Sequence, residues 1–229
     1  MNAKTKARIK RVLNILWHIP PCSDIYMFHH VTLHPEVECS SCKLDTEDFV
    51  HFLDKPRDYV SLDALTEDKN YGRHAAITFD DGLADTFTVA YPILRQRRIP
   101  FTVFVLSRMV GKPGYLTAEQ LRKLAKDPLV TIGVHGSMHR ILTECTPEQQ
   151  AEEIFRSKQE LEAMLGKKCD LFAYSHGQYN PDILQLTAFA GYRKAFAVAG
   201  RPYCERFDKG PYAIPRESVE EDTKIMFGL

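Results

Sequence analysis

Apolar residues along the chain fall into short runs that alternate with longer helical patterns. Runs rich in β-branched and aromatic residues at 25–28, 74–79, 101–106, 129–134, 171–174, 194–198 and 212–214 predict strands. Apolar positions at helical spacing predict helices at 46–53, 84–97, 117–125, 147–165 and 181–190. The fourth of these has both ends marked. Thr146-Pro147-Glu148-Gln149 offers an N-cap, a proline for the first turn and an acceptor at the third position, and Gly166 stops the helix. Strand–helix alternation implies a parallel sheet, either closed into a barrel or open and doubly wound. Polar clusters follow several of the strand runs directly. A barrel gathers such strand ends around one mouth, whereas an open sheet brings together only those near a switch point. The expected fold is therefore α/β, a distorted (β/α) barrel of mostly parallel strands in a single domain.

Composition narrows the picture. With 229 residues, 44% of them hydrophobic, and neither repeat nor long linker, the chain can bury one substantial core. The 30 basic and 30 acidic side chains give a net charge of +0, so no global field attracts nucleic acid. No apolar run reaches the roughly 18–20 residues needed to span a bilayer. Ile9, Val12, Leu13, Leu16 and Trp17 recur at helical spacing opposite Lys6, Arg8, Lys10 and Arg11, which predicts a basic amphipathic helix over residues 1–20. It either packs on the domain formed by residues 21–229 or meets an anionic membrane surface through residues 4–19. Asn14 and His18 interrupt its apolar stretch and no small-residue cleavage site follows, so it is not read as a signal peptide. The expected location is cytoplasmic, with the inner membrane face as the alternative. Of the six cysteines, only Cys39 and Cys42 have ligand spacing. Without a second pair they read as loop thiols rather than a structural zinc site.

Two clusters carry candidate chemistry. Ile77-Thr78-Phe79 runs into Asp80-Asp81-Gly82. Strand side chains alternate in direction, so both carboxylates reach one site only if the strand ends there. Adjacent carboxylates repel unless a cation or distinct roles separate them; the plainer reading is a cap on the following helix. The second cluster, His135-Gly136-Ser137-Met138-His139, follows the run at 129–134. Two imidazoles four positions apart share a face of a helical turn and can chelate one ion. His135, His139 and one aspartate make three ligands and leave positions open for water and substrate. The other aspartate is then available as a base. Such an ion makes water acidic near neutral pH and polarises a carbonyl, which is machinery for hydrolysing an amide or an ester.

The segments TFDDG, YPIL, IPFTVFV, YLTAEQL, IGVHGSMHRILT and FAYSHGQYN, in that order over about residues 74–216, resemble the polysaccharide deacetylases of carbohydrate esterase family four. The resemblance implies removal of N-acetyl groups from an acetylated carbohydrate. It makes Asp80 the catalytic base, and Asp81, His135 and His139 the ligands of one divalent ion. Zinc suits this ligand set, as do other first-row divalent ions. Three departures stand out. The third motif reads Ala173-Tyr174-Ser175-His176-Gly177, without the family's arginine and with Ser175 in place of proline, which could loosen the loop. Ala213-Ile214-Pro215-Arg216 resembles a later Pro-Arg element, so Arg216 is the candidate ion-pair partner of Asp80. The backbone N–H near His176 is the expected oxyanion donor. The family's C-terminal Leu-x-His is absent. Met27-Phe28-His29 has the same form, and barrel closure makes first and last strands neighbours. His29 is thus the expected general acid, with His30 and His176 as alternatives. O-deacetylation of a surface polysaccharide, or a carbohydrate-binding homologue with impaired catalysis, are the rival readings.

Overall fold

In the computed structural model, residues 22–33, 42–67, 74–204, 207–208, 210–220 and 222–229 are described. The amphipathic helix expected over residues 1–20, and Cys39, lie outside them. Strands β1 (Asp24–Phe28), β5 (His74–Phe79), β6 (Phe101–Val105), β7 (Val130–Val134), β8 (Leu171–Ala173) and β9 (Lys194–Phe196) lie side by side in that order, all parallel. Short β2 (His30–Thr32) and β3 (Lys43–Asp45) form their own parallel ladder, and β4 (Asp58–Tyr59) pairs with the start of β5. Helices α1 (Thr46–Asp54), α2 (Leu62–Glu67), α3 (Tyr91–Arg97), α4 (Ala118–Lys126), α5 (Pro147–Ala151), α6 (Ser157–Leu165) and α7 (Pro181–Phe189) complete the α/β pattern. Capping boxes at Thr117/Gln120 and Thr146/Gln149 start α4 and α5.

The curled sheet is closed by one irregular segment. The Ala195 N–H donates to the Pro211 carbonyl, that of Ala197 to Ile214 and that of Ala199 to Arg216. A few residues on, β10 (Glu217–Ser218) pairs in parallel with Tyr26 and Met27 of β1. The same stretch of chain therefore joins β9 to β1. The strand expected at 212–214 is corrected here: Ile214 makes an isolated bridge to Phe196, and the regular ladder comes later. Pro211 and Pro215 have no N–H to give a ladder. The helices expected at 84–97 and 147–165 are also not uniform, since π turns occupy Thr86–Ala90 and Glu152–Arg156.

Alternation along the strands sorts side chains into two cores. Phe28, Ile77, Phe79, Val103, Val105, Ile132, Val134, Phe172 and Ala195 face outward, against the helices. Ile25, Ala76, Phe104, Leu171, Ala173, Phe196 and Ile214 form a second, inner cluster, joined by Leu62 and Leu65 of α2. Gly133 belongs to the inner set because the Phe104 ring lies within 2.5 Å of where its Cβ would be. Two residues beyond the inner positions come Asp80 (by way of Thr78), His135, Ser175 and Arg216, which are all buried. A period of two thus aims these polar side chains at the mouth of the barrel, above an apolar floor.

Candidate active site

Strand β5 ends at Phe79, and the Asp80 N–H still donates to the Phe28 carbonyl at 2.9 Å. Asp81 then turns to φ 69°, followed by Gly82 at φ 71°. That left-handed pair swings the second carboxylate back towards the first, which continued alternation would have prevented.

The two acids have different surroundings. Asp80 is buried and clasped by Arg216, Nη1 to Oδ1 at 2.7 Å and Nη2 to Oδ2 at 2.8 Å. Arg216 is itself 0% exposed; its Nη1 also donates to Thr78 Oγ1 at 3.2 Å and its Nε to the Ala197 carbonyl at 3.4 Å. The guanidinium carbon lies over the Phe104 ring, 5.2 Å from its centroid. Burial by itself would raise the Asp80 pKa, but the Arg216 charge, followed by His135 and the Arg216 hydrogen bonds, holds it well below the ordinary carboxylate range.

Asp81 faces two imidazoles. The Nε2 atoms of His135 and His139 each lie 3.5 Å from its Oδ1. This Oδ1 is buried and makes no hydrogen bond, an expensive state for an anionic oxygen unless a cation faces it. Donors bonded to one tetrahedral ion at about 2.1 Å stand about 3.4 Å apart, so these three atoms fit a single divalent metal. His135 Nδ1 donates to the Ala173 carbonyl at 2.8 Å, which reserves the Nε2 lone pair for a metal. Burial, then the neighbouring His135 ring, push the His139 pKa down to about 4, so its ring is neutral at physiological pH.

The expectation of a helical turn under the two histidines is corrected. Residues 135–139 form a loop in which Gly136 has φ 92° and His139 φ 63°. What shapes it is Glu153, a carboxylate missed from sequence and only 1% exposed, set in the π turn Glu152–Arg156. It accepts hydrogen bonds from the Ser137 N–H and hydroxyl, both at 2.8 Å, and from the Met138 N–H. A Cβ on residue 136 would come within 2.4 Å of its Oε2, so glycine is required for close approach as well as for φ. Nothing in the sequence singled it out, since its helical neighbours Gln149, Gln150, Arg156 and Ser157 are all polar.

The third motif is held firmly rather than loosened. Ser175 is buried and its hydroxyl donates to the His135 carbonyl at 3.1 Å, a tether that proline could not supply. His176, at φ 57°, is exposed, and its ring centroid lies 4.4 Å from that of His139 with the planes tilted by 49°. His30 is engaged with Asp85, its Nδ1 2.6 Å from Oδ2. His29, His30 and His176 all line the cavity of about 330 Å³ that also holds Asp80, Asp81, His135 and His139. The His29 Nδ1 lies 3.4 Å from Glu220 Oε1, a second carboxylate missed from sequence. Burial would lower the His29 pKa, but Glu220, with Asp80 and Asp81, raises it overall. The structure thus brings Asp80, Asp81, His135, His139, Arg216 and His29 together, with His176 at the rim and His30 tied to Asp85.

Comparison with known proteins identifies the family. The polysaccharide deacetylase family model matches residues 67–195. A Bacillus subtilis (strain 168) protein named as a polysaccharide deacetylase, YxkH, is 32% identical over 68% of this chain and 55% of its own. A poly-β-1,6-N-acetyl-D-glucosamine N-deacetylase of Staphylococcus aureus (strain MRSA252) is 24% identical over 66% of this chain and 56% of its own. The chain therefore spans little more than half the length of these curated relatives. Its fold is shared with the Streptococcus pyogenes deacetylase PplD, solved in complex with acetate, at a TM-score of 0.78 and 22% identity over 89% of this chain and 95% of that one. Fold, motif order and the match over more than half its residues lead to one statement: the chain belongs to the polysaccharide deacetylase family.

Proposed function

We propose that the protein is a metal-dependent N-deacetylase of an acetamido-sugar polymer, of the poly-β-1,6-linked N-acetylglucosamine class named for its S. aureus relative. One observation carries the reading. Adjacent carboxylates have been given opposite settings: Arg216 keeps Asp80 ionised, while Asp81 Oδ1 stands unpaired before two histidine nitrogens. Asp81, His135 and His139 would hold the ion, with zinc fitting the donor set. A bound divalent ion supplies Lewis acidity, making water acidic near neutral pH and polarising the acetyl carbonyl. Asp80 takes the proton of the attacking water, and Arg216 keeps its carboxylate ionised and aimed. Gly177 and Gln178 donate their amides to the Tyr174 and Ser175 carbonyls, which points to the His176 amide as donor to the oxyanion. His29 protonates the departing nitrogen, and the nearby Glu220 carboxylate favours the charged form of its ring. The products are acetate and a free amine.

The test is acetate release from poly-β-1,6-N-acetylglucosamine oligomers and acetylated chitooligosaccharides, before and after chelation. We expect turnover that chelator abolishes and one equivalent of divalent metal restores. No acetate from any acetamido substrate by metal-loaded protein would overturn the reading, and release from O-acetylated glycans alone would replace it with O-deacetylation.

A further inference from the structure

The described residues bring together a second group of metal-ligating side chains, His29, Cys42 and Glu220, with one donor atom from each within 4.8 Å of the others. Two ladders assemble it. In β2–β3, His30 is level with Lys43, so the residues just before them, His29 and Cys42, are neighbours. In β1–β10, Tyr26 is level with Glu217 and Met27 with Ser218, and the same register continued brings His29 level with Glu220. His29 is thereby flanked by a thiol on one side and a carboxylate on the other.

The contact within this group is not a good hydrogen bond. His29 Nδ1 lies 3.4 Å from Glu220 Oε1, yet it is buried and has no hydrogen-bond partner. That separation equals the roughly 3.4 Å edge expected between two donors on one tetrahedral ion. Imidazole, thiolate and carboxylate together select borderline-to-soft divalent ions such as zinc, cobalt and cadmium over calcium or magnesium.

We infer that His29, Cys42 and Glu220 form a second divalent-metal site, whose filling switches off the general acid. The inhibitory half of this inference rests on the role proposed above for His29. The ion replaces the Nδ1 proton of the imidazolium and the thiol proton of Cys42, and both protons leave to solvent. What remains at Nε2 is the N–H of a neutral ring, far too weak an acid to protonate a departing amine. Amide cleavage then stalls although Asp80, Asp81, His135 and His139 are untouched. Cleavage of an aryl acetate, whose leaving group departs as a stable anion, continues.

Titration of the metal-free full-length chain with cobalt(II) tests the site directly. The first equivalent should give ligand-field bands without sulfur character, and the second a near-ultraviolet thiolate-to-cobalt charge-transfer band. Cys42→Ser and Cys42→Ala should keep the first equivalent and lose that band. Saturation at one equivalent, or an undiminished band in both variants, would overturn the site. Zinc beyond one equivalent should lower amide deacetylation about 10²- to 10⁴-fold, spare aryl acetate hydrolysis, and leave Cys42→Ser active on both. Equal loss of amide and ester cleavage would overturn the proton-displacement step. If protein with one equivalent deacetylates nothing while the sulfur band still appears, the deacetylase reading falls and the second site stands.

Discussion

One peptide bond separates Asp80 from Asp81, yet a buried guanidinium clasps the first and two imidazoles face the second. The different roles proposed for them rest on these surroundings, since the side chains are identical. Asp80→Asn should retain one equivalent of metal and lose about 10²- to 10⁴-fold in turnover; metal analysis beside acetate release checks it. Metal lost in proportion to activity would mean that the roles of the two acids are reversed. Arg216→Ala strands a buried carboxylate and should cost about 3–5 kcal/mol of stability. Because the folded pKa of Asp80 is depressed, the stability this pair contributes is fully present above the unfolded carboxylate value of about 3.9. It is lost as pH falls through the lower folded value. Urea midpoints of wild type and variant should therefore differ most near neutrality and converge in strong acid. Without Arg216 the Asp80 pKa rises, so the acid limb of kcat/KM should move to higher pH. These acids, both histidines and Arg216 were legible in the sequence, because each lies within a short motif at the end of a strand run.

Elements explain what the motifs did not. The spacing of His135 and His139 suggested a helical turn; the chain instead makes a loop through left-handed φ values, and Glu153 gathers its amides. That carboxylate projects from a π turn within the run from Pro147 to Leu165. One extra residue shifts the apolar stripe by one position partway along a run of only a few turns, too little for periodicity to flag, although the ends of the whole run were readable from Thr146, Pro147 and Gly166. Glu153→Ala should leave two loop N–H groups and the Ser137 hydroxyl without their acceptor. Metal affinity is expected to fall about 10- to 100-fold, measured by competition with a chromogenic chelator, while the ligands themselves are intact. Gly136→Ala should do at least as much harm, because its Cβ would meet the Glu153 carboxylate and φ 92° disfavours any side chain. Unchanged affinity in both variants would show that the loop holds its shape without Glu153.

At the scale of the whole molecule, barrel closure decides which groups face the cavity. The inward parity was visible in the sequence: Ile25, Met27 and His29 form one such series, and Ile214 and Arg216 another. The register between the first and last strands was not, because Pro211 and Pro215 interrupt the ladder and Glu220 lies beyond any recognisable motif. Only the seam between β1 and β10 shows that this carboxylate sits beside His29. Expulsion of an amine from a tetrahedral intermediate needs a proton, since an amide anion is a very poor leaving group. Among the described residues of the cavity, His30 is tied to Asp85 and His176 lies exposed beside His139, so the proton is proposed to come from His29. His29→Ala should therefore lower amide turnover about 10²- to 10⁴-fold with the Asp81, His135 and His139 site still loaded, while an aryl acetate is still cleaved at close to the wild-type rate. Glu220→Gln removes an anion that raises the His29 pKa. A general acid works only while protonated, so the basic limb of the amide pH profile should move to lower pH in this variant, with the acid limb unmoved. Full amide turnover by His29→Ala, or a basic limb indifferent to Glu220, would take the role from His29 and leave the seam a purely structural closure.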